Sequence, residues 1–269
     1  MIKDSGRIQV IDKIIDGTIT EENYHNKFFL RVGSKADRYE NIDFSHTYFD
    51  HCYFRNCVFD SCNFNGCKFI NSNFLSSTFV GCNFDYATFQ NTQIDKEILD
   101  SGCPGYSNLK LKFARTLRKN FQGLGDAEST NKAIKIELDA KKHHLLKRWK
   151  SNESYYRKKY GGWNRFLAFF PWFRFKMEEF IWGNGESTIK LIRSAFLFWV
   201  VMTIVDVSYS GNLNEISSYW SSFVKMPQIF LSIEKPHDYS NIYLSIIFIV
   251  RIIAFGLFMS ILLKRFNKR

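Results

Sequence analysis

From Phe44 to Phe89 a phenylalanine stands at every fifth position, and Ile94 and Leu99 keep the same phase. A period of five suits neither the α-helix, at 3.6 residues per turn, nor the strand, at 2, so the chain has to turn a corner once per repeat. Four corners close a square coil. Two residues before most of these aromatics sits a small side chain: Cys52, Cys57, Cys62, Cys67, Ser72, Ser77, Cys82 and Ala87. One small and one large inward residue per pentad fill the inside of a narrow coil. Four pentads per coil put Phe44, Phe64 and Phe84 in one column, Phe49, Phe69 and Phe89 in the next, and Cys62 against Cys82. With coils spaced like paired strands, roughly 4.8 Å apart, the twelve positions from Phe44 to Leu99 make about three coils.

Cys62-Asn63-Phe64, Ser72-Asn73-Phe74 and Cys82-Asn83-Phe84 carry the full pattern of small residue, Asp or Asn, then Leu or Phe. In this the segment resembles the pentapeptide-repeat family, which implies a right-handed quadrilateral β-helix over residues 39–104. Residues 1–38 are mixed; Ile11, Ile14 and Ile15 suit a short amphipathic cap over the first coil. Six cysteines raise the question of disulfides or zinc. Met1 to Val10 has no apolar signal-peptide core, and spacing by five does not match the close pairs of zinc sites, so buried, reduced thiols are expected.

Pro104 and Gly105 end the five-residue pattern, and a helical one replaces it. Leu111, Ala114, Leu117 and Phe121 share a face of one helix; a Gly123-Leu124-Gly125-Asp126 turn leads to a second, from about Ala127 to Trp149, carrying Ala133, Ile136, Ala140 and Leu145 or Leu146. Between Leu109 and Glu178 stand 18 Lys or Arg against 6 Asp or Glu, an excess that accounts for the whole net charge of +11. Three readings fit it: charge held beside an anionic leaflet, a site for an anionic ligand, and a solvated face. Lys141, Lys142, Lys147, Arg148, Arg157, Lys158 and Lys159 are the candidates for the first two. From Tyr155 to Trp182 aromatics alternate with Arg165, Arg174 and Lys176, the composition of interfacial segments, so residues 105–182 read as a basic hairpin with an aromatic end.

Two apolar runs follow, within residues 183–269. Ile189 to Val207 is broken by Lys190, Arg193, Ser194, Thr203 and Asp206, with Ser187 and Thr188 to cap it; Ile242 to Leu263 gives 22 residues with Arg251 as its one charge. Spans of about 188–208 and 242–263 are long enough to cross a bilayer. The basic end from Lys264 to Arg269 keeps the C-terminus cytoplasmic, and two crossings return the chain to its starting side. Between them, Ile216 to Phe230 is amphipathic and too short to span, which suits a re-entrant helix over about 216–231.

Helix, short re-entrant helix, extended turn, helix and basic end is the order of the two-transmembrane, potassium-channel-like pore module, and the chain resembles pentapeptide-repeat proteins that carry one. The Phe121-Gln122-Gly123-Leu124-Gly125-Asp126 turn and Gly183-Asn184-Gly185-Glu186-Ser187 share in that resemblance. It stops at the filter. Potassium filters use Thr-Val-Gly-Tyr-Gly carbonyls, whereas here Leu231-Ser232-Ile233-Glu234-Lys235-Pro236 stands in that place. Ser232, Ile233 and Glu234 are therefore filter-region candidates without potassium selectivity. Arg251, costly in mid-bilayer by about 2.5 to 3.5 kcal/mol, belongs either in a wet pore or against Asp206 or Glu215.

The expected fold class is thus a β-solenoid with an α-helical cytoplasmic hairpin and a two-helix transmembrane pore module. The resemblance implies a homotetrameric ion channel of the bacterial inner membrane, both termini cytoplasmic, and channel-like effectors of phage defence gated by an anionic nucleotide or oligonucleotide. The competing reading is a membrane-anchored scaffold whose solenoid binds a protein partner. No nucleotide-binding glycine loop, Gly-x-Ser-x-Gly elbow or metal-spaced His cluster points to an enzyme or a cofactor; His143 and His144 are adjacent and diverge on a helix. The short solenoid of mixed charge argues against mimicry of duplex DNA.

Overall fold

The computed structural model describes residues 6–210, 214–234 and 239–266. The chain divides into two units, Met1–Phe169 and Phe170–Arg269.

Among the described residues, the first unit opens with eleven short strands: β1 (Ile8–Ile11), β2 (Ile19–Thr20), β3 (Lys27–Leu30), β4 (Gly33–Lys35), β5 (Arg38–Glu40), β6 (Tyr48–Asp50), β7 (Tyr53–Arg55), β8 (Val58–Asp60), β9 (Lys68–Ile70), β10 (Thr78–Val80) and β11 (Thr88–Gln90). Every pairing is parallel and joins residues one coil apart. The faces run β1-β3-β6-β9-β11, β4-β7, and β10-β8-β5-β2. Single bridges joining Asn23, Asp43, Asn63 and Asn83 make the fourth side of the square. This is a parallel β-solenoid of about four turns.

The aromatic columns form as the period requires. Phe44, Phe64 and Phe84 lie nearly parallel with centroids 5.1 and 4.9 Å apart; Phe49, Phe69 and Phe89 follow at 5.0 and 4.7 Å. Neighbouring columns meet edge to face, as between Phe49 and Phe54 or Phe59 and Phe64, the arrangement ring quadrupoles favour.

Coils begin at Ile8, so residues 8–38 are not a cap but the solenoid itself. Ile15 is buried, while Ile11 and Ile14 lie on the outside. The period is broken there by a four-residue step. Val10 pairs with Phe29 and Ile14 with Gly33, offsets of nineteen, whereas Ile19 pairs with Tyr39, an offset of twenty.

At the other end, helix α1 (Ile98–Ser101) and a hairpin of α2 (Ser107–Gly123) and α3 (Ala127–Lys150) close the coil. Phe113 packs on Phe84 and Phe89 at 5.9 and 6.0 Å. Leu109, Phe113, Leu117 and Phe121 form the buried face of α2; Leu111, assigned there from spacing, is only half-buried. Asp126 caps α3 by accepting the Ser129 N–H at 3.0 Å. Two short helices, α4 (Ser154–Lys159) and α5 (Trp163–Leu167), follow.

The second unit holds nearly all of α6 (Phe169–Trp182), then α7 (Thr188–Ser210), α8 (Ile216–Phe230) and α9 (Asn241–Phe266). Ser187 caps α7, its Oγ accepting the Lys190 N–H at 3.3 Å. Thr188–Tyr209 and Asn241–Lys264, of 22 and 24 residues, are long and apolar enough to cross a membrane, about 33 and 36 Å, and most of each is exposed.

Candidate functional site

Two places gather the residues singled out from sequence: the C-terminal end of α3 in the first unit, and the α7–α8–α9 assembly in the second.

A 24-residue helix ends in carbonyls with no intrahelical partner and a partial negative charge. At α3 those carbonyls are met by arginines from farther along the chain. Arg157 Nη2 donates to the Arg148 carbonyl at 2.6 Å. Arg165 donates from Nε to the Trp149 carbonyl at 2.8 Å and from Nη2 to that of Lys150 at 3.3 Å. Arg157 thus holds a helix end, a role its place among the anion candidates did not suggest. Its Nε and Nη1 are buried without a hydrogen-bond partner among the described residues, and burial and the Arg165 charge both lower its pKa.

The other basic candidates are spread out. Lys147 pairs with Glu153 at 2.8 Å. Arg148 stacks over the Tyr160 ring at 4.5 Å, and Lys159 lies 5.8 Å from the same ring. Lys158 is exposed; Lys141 and Lys142 lie half-buried on α3. His144, which sequence reasoning passed over, sits 3.1 Å from the Tyr156 hydroxyl; burial, then Arg148 and Lys159, hold its pKa below the usual 6.5. Beside the helix end, Trp149, Lys150, Gly162, Arg165, Phe166 and Phe169 enclose a cleft of about 510 Å³.

In the second unit, α8 is fastened to α7 by side chains from both. Trp199 stacks on Phe223 at 4.3 Å and its Nε1 donates to the Phe223 carbonyl at 2.7 Å; Met202, Met226, Ile229 and Ile247 bury one another. Asp206 accepts from Ser222 Oγ at 2.5 Å and from the Tyr239 hydroxyl. Its partners among the described residues are therefore hydroxyls, and Arg251 turns to other groups. Arg251, half-buried midway along α9, directs Nη1 to the Phe230 carbonyl and Ser232 Oγ, at the C-terminal end of α8, and its guanidinium lies 5.0 Å from the Phe248 ring centroid. Ser232 has the left-handed φ of +59°; Ile233 and Glu234 are exposed beside it. Lys235 and Pro236 of the filter region, like Asn267–Arg269 of the basic end, lie outside the described residues. Glu186, just before α7, pairs with Lys264 near the end of α9.

Comparison with known proteins bears on the solenoid. The family model described as pentapeptide repeats matches in eight copies over residues 40–74 and 62–96. This segment is a pentapeptide-repeat solenoid. The crystal structure of a pentapeptide repeat protein from the cyanobacterium Cyanothece 51142 is similar at 10% identity and a TM-score of 0.14, covering 33% of this chain and 88% of that one. No curated protein matches the chain. The pentapeptide-repeat coils extend in space beyond the matched residues, to Ile8, where their sequence pattern has faded.

Proposed function

We propose that the chain is the subunit of an oligomeric membrane channel, in which α7 and α9 cross the bilayer, α8 is a re-entrant helix between them, and the pentapeptide-repeat solenoid is a cytoplasmic sensing or docking part. The observation that carries this reading is Arg251. A guanidinium in the middle of an apolar 24-residue run is costly against lipid, and here it is met by the carbonyl end of a short helix too short to span. A plain two-helix anchor needs neither part. The Glu186–Lys264 pair joins the start of α7 to the end of α9, which fits spans that leave and return on one side, with both termini cytoplasmic. One hairpin cannot enclose a path, so several copies, four by the resemblance of the module, would surround it.

A helix end carries about half a negative charge, which by itself favours cations; the whole charge of Arg251 opposes it. Ion selectivity under asymmetric salt should therefore shift toward cations in Arg251→Gln, by about fivefold in permeability ratio, the effect of one charge at about 4 Å in water. Unchanged selectivity would remove Arg251 from the conduction path.

The scaffold reading rests on a different observation. The solenoid's outer faces carry polar ladders, Asn63 to Asp43 at 3.0 Å and Asn91 to Asn71 at 2.9 Å, which suit a protein partner. A channel-free anchor bearing such a surface would conduct nothing and leave Arg251→Gln without effect.

A further inference from the structure

The cleft at the end of α3 combines three features that no role in capping the helix requires. Its walls are aromatic: Trp149 and Phe169 meet nearly at right angles with centroids 5.4 Å apart, and Phe166 stands half out of the surface. Its charged side chains are both cationic, Lys150 and Arg165, with no carboxylate, amide or hydroxyl among the lining side chains. Next to it the chain already holds more positive charge than the helix end calls for. Arg165 uses Nε and Nη2 on the α3 carbonyls and Asn152, and Arg157 has two buried N–H edges without a partner among the described residues. Buried guanidinium charge is expensive, and an anion in the adjoining cleft would offset it through its field rather than by a direct hydrogen bond to Arg157.

We propose that this cleft holds one anionic phospholipid, its phosphate between Lys150 and Arg165 and the start of its acyl chains against Trp149, Phe166 and Phe169. Lipid, rather than a free nucleotide, is the occupant because the apolar surface continues outward from the cleft through Trp163, 73% exposed, and Leu167, which suits acyl chains longer than a base. Phe169 also precedes the first apolar span by nineteen residues, fourteen of them in α6 counting Phe169 itself. The proposal rests on the membrane reading above and narrows its anionic ligand to a headgroup phosphate.

The test is native mass spectrometry of the full chain in a zwitterionic detergent, offered an equimolar mixture of phosphatidylglycerol and phosphatidylcholine, and separately AMP. Wild type should retain phosphatidylglycerol preferentially and AMP not at all. Lys150→Glu should lower retention at least about fivefold, the effect of a surface cation on an anionic lipid, and Phe166→Ala should weaken it as well; both positions are exposed, so the fold should tolerate them. Lys158→Glu, which changes charge equally outside the cleft, should leave retention unchanged. Equal retention of both lipids, retention of AMP, or equal loss in Lys150→Glu and Lys158→Glu would overturn the proposal. A protein that lacks the lipid preference but still needs detergent for solubility would fail here and leave the membrane reading standing.

Discussion

Phe64 is fully buried between Phe44 and Phe84, and the residues around it show why the repeat has the composition it has. Most of the small inward residues are also donors, Ala87 excepted: Cys67 Sγ reaches the Phe44 carbonyl at 3.0 Å, Ser77 Oγ that of Phe54 at 2.6 Å, Thr47 Oγ1 that of Tyr24 at 2.5 Å. Where an Asn or Asp precedes the aromatic, at Asp43, Asn63, Asn73 and Asn83, it accepts the N–H two residues on, as Asn63 does from Asn65 at 3.2 Å and Asn73 from Leu75 at 2.9 Å, an Asx turn that starts the corner. The corner residue takes a left-handed φ, and at Gly66 a Cβ would stand 2.6 Å from the His46 ring. Phe64→Ala should cost about 3–5 kcal/mol in chemical denaturation; a loss under about 1 kcal/mol would mean that the column is not what holds the coil. Burial pushes the Cys52 thiol from 9.0 up to about 12. The folded state therefore keeps its proton while the unfolded chain ionises, so stability from this group is intact below pH 9 and is lost as pH rises toward 12. Near pH 10.5 the loss is about 2 kcal/mol, and Cys52→Ala should show a correspondingly smaller alkaline drop in denaturation midpoint; equal drops would contradict the burial. Period, columns and small positions were all legible in the sequence because each recurs. Ser34 was not: it interrupts the aromatic phase, and its Oγ accepts from the buried Tyr39 hydroxyl at 2.6 Å while donating to Asp37.

The last strand of a solenoid leaves unpaired backbone groups, a template for aggregation unless covered. Helix α2 covers it with side chains that imitate a further strand. Asn120 accepts from the Thr92 N–H at 2.8 Å and donates to the Thr92 carbonyl at 2.7 Å; Thr116 does the same for Phe89 at 3.0 and 3.3 Å. Asn120→Leu keeps the bulk and leaves both Thr92 groups unpaired, at about 1–3 kcal/mol each. Hydrogen exchange at the Thr92 amide should accelerate about tenfold or more, with the Phe89 amide unaffected; no change at Thr92 would show that the apolar face of α2 alone seals the coil. Helical spacing located α2 and α3 but chose Leu111 where Phe113 is buried, because a face a third of the circumference wide admits neighbouring choices. The coils before Phe44 leave a weaker trace, because Ser34 interrupts the phase that Tyr24, Phe29 and Tyr39 keep and the four-residue step puts Val10 and Ile15 outside it. Arg157 and Arg165 at the end of α3 lie nine to sixteen residues from the groups they bind, a separation that leaves no periodic trace.

Across the whole chain, charge and hydropathy are segregated: the excess of cations lies between Leu109 and Glu178, and the two long apolar helices come after it. That order was legible from composition alone, as were both apolar runs. The partner of Arg251 was not, since its alternatives in the sequence were acids and the structure supplies a helix end and a serine hydroxyl. The central claim is that copies of this module enclose a conducting path. It is tested most directly by recording single-channel current from the purified, folded full chain in planar bilayers under asymmetric salt, before and after adding anionic nucleotides or short oligonucleotides. Discrete unitary currents whose reversal potential does not favour cations are the predicted result; an electrically silent, correctly folded oligomer under every condition would contradict the channel and leave a membrane-anchored pentapeptide-repeat scaffold.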